Sequence, residues 1–215
     1  MDTSFKGKKI IITAGPTWVK IDSVRVISNT ASGQTGTLLA ERLSRLGARV
    51  TLLLGPVGKL SLSSKVKFLH FKLFEELYSL IKKELSSESY DFAIHSAAVS
   101  DYRLARIHRK KLDSGLKNLR LELKPTIKII NLFKKMQPQA KLVAFKFEPD
   151  TLKKQLELEA YRLIKSSGAK LIVANTTKNN GYAAYIVSPE KTLGPFLNKG
   201  YLAKNLIKLM KDLNA

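Results

Sequence analysis

Residues 9–17 read KIIITAGPT: three adjacent branched aliphatics stop abruptly at Ala14-Gly15-Pro16. A run that is apolar on both faces suits a strand buried between two layers, and the Gly-Pro pair forces a turn at its end. Working outward, Leu38, Leu39, Leu43 and Leu46 recur at helical spacing, with Glu41, Arg42 and Arg45 on the opposite face and Gly47 as a stop. Residues 48–54 (ARVTLLL) read as a second strand closed by Gly55-Pro56, and residues 67–71 as a short third. Phe74, Leu77, Leu80, Ile81 and Leu85 make another amphipathic helix, and residues 91–96 (DFAIHS) a central strand. Strands alternating with helices predict an α/β, mostly parallel sheet with helices on both faces, of Rossmann-like type. Ligands of such sheets lie beyond the carboxyl ends of the strands, so the segments that follow strands are where chemistry is sought.

The regularity breaks at residues 102–118. This stretch holds Arg103, Arg106, Arg109, Lys110, Lys111 and Lys117 against a single acid, Asp113. It has no period and reads as a long mobile flap after the central strand. Residues 119–123 then alternate like a strand, and Pro125 is expected to open a helix running to Met136. A strand over 141–147, a helix over 151–167, a strand over 170–174, an added edge strand over 184–187 and a C-terminal helix through Leu202, Leu206, Leu209 and Met210 complete the expectation. There is no internal repeat, and residues 1–215 are expected to form one domain.

Cysteine is absent, which excludes disulfides and thiolate metal sites. No apolar run approaches the ~20 residues of a membrane span, and no signal-peptide core is present, so a cytoplasmic protein without a membrane partner is expected. Thirty-eight Lys and Arg residues against 17 Asp and Glu give a net charge of +21. Such a field attracts phosphorylated ligands and nucleic acid alike. The basic residues run from Lys6 to Lys211 instead of clustering in an arm, and aromatic interleaving is sparse. Both features favour a solvated basic surface over specific nucleic-acid recognition.

Three post-strand segments look unlike mere connectors. One is residues 13–17 with the following Ile21-Asp22-Ser23-Val24-Arg25; the second is residues 28–36, SNTASGQTG. Small and hydroxyl residues ahead of a helix leave backbone N–H groups open to an anion. The same residues suit a helix cap at Ser32 or Thr35, and the two readings stand level. The dinucleotide and P-loop glycine fingerprints are absent. The third segment is residues 95–102, HSAAVSDY. There small residues admit a flat ligand and Asp101 can serve a ribose hydroxyl, a divalent cation or a simple turn. His70, His95 and His108 are scattered and read as structural or solvated; Trp18 reads either as a wall of the substrate site or as packing, with packing slightly favoured.

Taken in order, these residues resemble the phosphopantothenate–cysteine ligases (phosphopantothenoylcysteine synthetases). Residues 12–17, 21–25, 27–29 and 32–33 resemble the opening of that family, and residues 97–102 (AAVSDY) its second signature. Lys111-Leu112 falls where the family carries a flap lysine; residues 123–130, 143–148 and 173–175 follow in the family's order. Phe145-Lys146, with no fused flavoprotein half, resembles the stand-alone branch. The resemblance implies a cytosolic enzyme of coenzyme A biosynthesis that joins 4'-phosphopantothenate to L-cysteine through an acyl-nucleotidylate, using CTP or ATP with Mg²⁺, as a homodimer. It further implies Asn29 and Lys111 as catalytic residues. Gly15, Ser32, Gly33, Ala98, Asp101 and Phe145 would bind nucleotide, and Arg25 and Asn29 would bind substrate, with no protein metal ligand assigned. Pro16 stands where the family usually has glycine and Thr176 where aspartate is common; Arg162 and Lys165 are the nearest candidates for lysines that are not matched in register. These departures bear on nucleotide choice. The competing readings are a basic nucleic-acid-binding α/β protein and a related enzyme that takes another nucleotide or flavin on the same fold.

Overall fold

The KIIITA run is β1 (Lys9–Ala14), buried at its last five positions. The computed structural model describes residues 3–58, 64–178 and 181–213. After β1 comes a small hairpin of β2 (Trp18–Lys20) and β3 (Val26–Ser28), then α1 (Gln34–Arg45), β4 (Arg49–Leu54), β5 (Lys67–His70), α2 (Phe74–Ser87) and β6 (Phe92–His95). A ribbon of β7 (Tyr102–Leu104) and β8 (Leu123–Pro125) follows, then α3 (Ile130–Met136), β9 (Lys141–Phe147), α4 (Lys153–Ser167), β10 (Leu171–Lys178), β11 (Gly181–Val187), β12 (Thr192–Phe196) and α5 (Lys199–Asp212).

The main sheet runs β12-β11-β10-β9-β6-β1-β4-β5. Its six strands from β5 to β10 are all parallel. In chain order they stand 3-2-1-4-5-6, the doubly wound order, so the strand path reverses between β1 and β6. Each strand feeds two cores by alternation. Ile10 and Ile12 join the layer under α1 and α5, while Ile11 joins the layer under α2, α3 and α4. All three isoleucines are fully buried, and burying a side chain of that size contributes about 1.5–3 kcal/mol. The expected Rossmann-like architecture is therefore present, with helices on both faces.

Four local expectations are corrected. The flap is not wholly irregular: β7 and β8 pair antiparallel at its base, Tyr102 opposite Pro125 and Leu104 opposite Leu123. The strand expected at 119–123 accordingly lies at Leu123–Pro125. Pro125 ends this ribbon and does not open a helix, because the next residue is held by Thr126 N–H to Asp101 O (2.8 Å) and Thr126 Oγ1–H to Ser100 O (2.8 Å). The strand containing 184–187 is interior, since β12 pairs outside it. The β2–β3 hairpin was not legible, its strands being three residues each and the apolar side chains of β3, Val26 and Ile27, being exposed.

Candidate active site

The carboxyl ends of β1 and β6 meet at the reversal point, and the loops that leave them are laced together. Ser96 N–H donates to Thr13 O (3.0 Å), Ala98 N–H to Gly15 O (2.9 Å) and Thr17 N–H to Ala98 O (3.2 Å). Ser100 N–H donates to the hydroxyl of the buried Thr17 at 2.9 Å. Asn29, leaving β3, reaches the same frame by donating Nδ2–H to Ala98 O at 3.0 Å. Asn29 itself is exposed.

Gly15 and Gly33 form the floor. Both have left-handed backbones (φ 82° and 69°), and a Cβ added to Gly15 or Gly33 would lie 3.1 or 3.2 Å from Val57 Cγ1. A Cβ on Gly33 would sit 3.3 Å from Gly15 N, so the two turns meet backbone to backbone. Gly33 is the N-cap of α1 and makes no side-chain capping bond; the first turn carries no acid. Ser32 Oγ lies a long 3.5 Å from Gln34 N, and Thr35 supplies no cap, so the capping role expected of either is not realised. The uncapped N–H groups of α1 present positive potential toward the glycine turns. Gly36 brings α1 against the sheet so closely that an added Cβ would lie 2.5 Å from Ala14 Cβ and 2.6 Å from Ser96 Oγ.

Ala98 is half-buried in this frame. Asp101 is exposed at the base of the ribbon, its Oδ1 paired with Lys128 Nζ at 2.6 Å. Phe145 is half-buried on β9, one residue past Ala144, which lies opposite His95. Arg25 is half-buried, with Nη1 donating to Asp22 Oδ2 at 3.2 Å. Lys111 is exposed on the flap, which curls around an open cup of about 490 Å³ lined by residues 106–113. That cup is built from one stretch of chain and is separate from the glycine floor.

The switch point thus gathers Gly15, Ser32, Gly33, Asn29 and Ala98, with Asp101 and Phe145 at its sides. Arg162 and Lys165 are not gathered. They occupy the last turns of α4, which runs antiparallel to the strands and delivers them to the sheet's amino end, where Arg162 pairs with Glu159 at 2.7 Å. Three contributors had no role assigned from the sequence. Thr13 Oγ1 lies 2.8 Å from His95 Nδ1, and Val57 closes the floor. Asp22, in the sequence an unassigned member of residues 21–25, is 2% exposed and bonded to both hairpin and flap. His95 packs against Phe133 with ring centroids 5.7 Å apart, and burial pushes its pKa down to about 4, so it is neutral near pH 7. Trp18 packs under Lys72, whose Nζ is 5.8 Å from the ring centre. Among the described residues no group of three His, Asp or Glu side chains could hold a metal, and no helix is long and apolar enough to cross a membrane.

Comparison with known proteins places this geometry. The chain is 39% identical over 179 residues to the coenzyme A biosynthesis bifunctional protein CoaBC of Thermococcus kodakarensis, covering 83% of this chain and 43% of that protein. It therefore spans about half the length of the curated relatives it matches. The DNA/pantothenate metabolism flavoprotein structure from Streptococcus pneumoniae is 25% identical, covers 96% of this chain and all of its own, and superposes with a TM-score of 0.85. Cab2, solved in complex with phosphopantothenate-cysteine, is 18% identical over 95% of this chain and 86% of its own, with a TM-score of 0.76; that likeness is one of fold. The model of the DNA/pantothenate metabolism flavoprotein C-terminal domain matches residues 5–212, and the chain belongs to that family.

Proposed function

We propose that the chain is a phosphopantothenate–cysteine ligase. In this reading the carboxylate of 4'-phosphopantothenate attacks the α-phosphate of CTP or ATP. A carboxyl O–P bond forms, the bond to the β-phosphate breaks, and pyrophosphate leaves. The amine of L-cysteine then attacks the acyl carbon, an amide forms and the nucleoside monophosphate departs. The observation that carries the reading is the meeting of Gly15, Gly33 and the uncapped start of α1 with Asn29 and Ala98 at the reversal of the strand order. Family membership and the phosphopantothenate-cysteine bound by Cab2 support the substrate class.

Each residue has a role that its chemistry suits. The backbone of Gly15, Ser32 and Gly33 offers N–H groups to phosphate oxygens without a side chain in the way. Asn29, neutral and with its Nδ2 anchored on Ala98 O, presents an amide to the acyl group without repelling phosphate. Ala98 leaves room for a flat base or ribose, Phe145 provides an apolar wall, and Arg25 and Lys111 supply cations to anionic substrates. Asp101 is exposed and can exchange Lys128 for a cation. One carboxylate plus substrate phosphates is an ordinary donor set for Mg²⁺, so Asp101 would hold the ion, whose charge would offset that of the triphosphate. A homodimer in the cytoplasm completes the proposal. The test is pyrophosphate release by the folded chain with phosphopantothenate, cysteine, Mg²⁺ and each common triphosphate in turn. Release that requires phosphopantothenate, with CTP or ATP preferred, is expected; no release with any triphosphate overturns the proposal.

A further inference from the structure

Asp22 has two carboxylate oxygens with different clients. Oδ1 accepts from Val24 N–H and Arg25 N–H, each at 2.8 Å, and by itself closes the β2–β3 turn. Oδ2 accepts from Arg25 Nη1 at 3.2 Å and from Leu112 N–H, ninety positions along the chain, at 3.1 Å. Leu112 is half-buried where residues 109–111 and 113–120 are exposed, so the flap dips onto the hairpin directly after Lys111. A second bond runs the same way, from His108 N–H to Ile21 O at 3.2 Å. The far end of the hairpin is fastened to the site through Asn29 and Ala98. The hairpin is therefore a bracket with the glycine floor at one end and the flap at the other.

We infer that Asp22 is a positioning residue that latches the flap to the β2–β3 hairpin and thereby sets where Lys111 stands during turnover. Only a carboxylate serves all four donors. An amide has one oxygen, and its NH₂ would face the Leu112 N–H instead of accepting from it. The donors, Val24 N–H foremost, hold the Asp22 carboxyl below its ordinary value against the opposing effect of burial, so the latch is anionic near neutral pH.

Trypsin reads the latch directly after Arg106, Arg109 and Lys110, which lie in the latched segment; the bond after Lys111 is left out because Leu112→Pro blocks it. Asp22→Asn and Leu112→Pro each remove the bond from one side, while Leu112→Ala keeps the N–H. Cleavage within 106–111 is expected to quicken about tenfold in the first two, the effect of losing one hydrogen bond to a charged group, and to stay within about twofold of wild type in the third. The kinetic consequence rests on the ligase proposal: kcat/KM for nucleotide falls about tenfold in the same two variants, while KM for cysteine holds within about twofold. Equal cleavage in wild type, Asp22→Asn and Leu112→Pro overturns the latch. Quickened cleavage with unchanged kinetic constants overturns its role in turnover. Should Asp22→Asn fail to fold, Leu112→Pro, which spares the hairpin turn, carries the test. Cleavage is measured without substrate, so a quickened flap in a chain whose wild type shows no ligase activity supports the latch and sinks the ligase instead.

Discussion

His95 and Asn29 sit within a few residues of the same floor and answer to different physics. His95 is held neutral because its charged form would lose hydration among Phe133, Thr13 and the strand ends. Its folded pKa of about 4 lies below the ordinary 6.5, so the unfolded chain binds more protons between those values. Stability from this group is complete above about pH 6.5 and falls as the pH drops toward 4, by roughly 2–3 kcal/mol in all. His95→Asn keeps a polar partner for Thr13 and does not titrate. Urea unfolding at several pH values should therefore show a flatter slope for the variant between pH 6.5 and 4; parallel slopes would refute the assignment. Asn29 is exposed, and its value lies in its donor. Asn29→Asp replaces the N–H facing Ala98 O by an oxygen and puts an anion beside the expected phosphates. Stability should change by under ~1 kcal/mol, as an exposed bond is lost, while ligase turnover falls about 10- to 100-fold. Full turnover at an unchanged melting temperature would leave Asn29 only a turn residue.

Among the elements, α1 couples packing to the site most tightly. Gly36 has no alternative in this seat: a methyl would strike Ala14 Cβ and Ser96 Oγ, one fixed to β1 and the other on a loop anchored at Thr13 O. Gly36→Ala must push the start of α1 off the sheet, and overpacking of this kind costs about 1–3 kcal/mol. For a chain of this length that is a melting-temperature drop on the order of 2–12 °C. Because the displaced end carries Gly33, nucleotide affinity should fall along with it. Calorimetry and nucleotide titration on one preparation check both, and a variant with wild-type melting and binding would mean the contact is slack. The flap is the opposite kind of element, with polar and basic side chains in solvent and its geometry set by a few backbone bonds at Ile21, Asp22 and Glu122.

At the scale of the molecule, the charge of +21 is spread and partly paired. Lys8 meets Asp91, Lys67 meets the buried Glu84, and Lys146 meets Glu148, so these cations already have partners on different parts of the surface. A field of this kind concentrates phosphorylated substrates without reading a sequence. Binding to duplex DNA or RNA should accordingly be weak and indifferent to sequence, and lose roughly tenfold or more between about 50 and 200 mM salt. Tight, sequence-selective binding at physiological salt in a fluorescence titration would restore the nucleic-acid reading.

By itself the sequence determined the parallel sheet, because runs such as KIIITA and RVTLLL are apolar on both faces and only a strand covered by two helical layers buries them fully. It also determined which loops to suspect, since glycine at positions 15 and 33 and small residues at 96–98 mark backbone that something must approach. The tertiary structure alone decided how those loops meet. Strand order is a matter of which edge each new strand joins, and local propensity carries no trace of it; here it brings β1 beside β6 and thus Gly15 beside Ala98. The same holds for the two short ribbons, whose three-residue strands are too brief to show a period. It holds most of all for Asp22. In the sequence it is one acid in a turn, and its second oxygen gains the flap as a partner, beside Arg25, only when folding carries Leu112 to it across ninety residues.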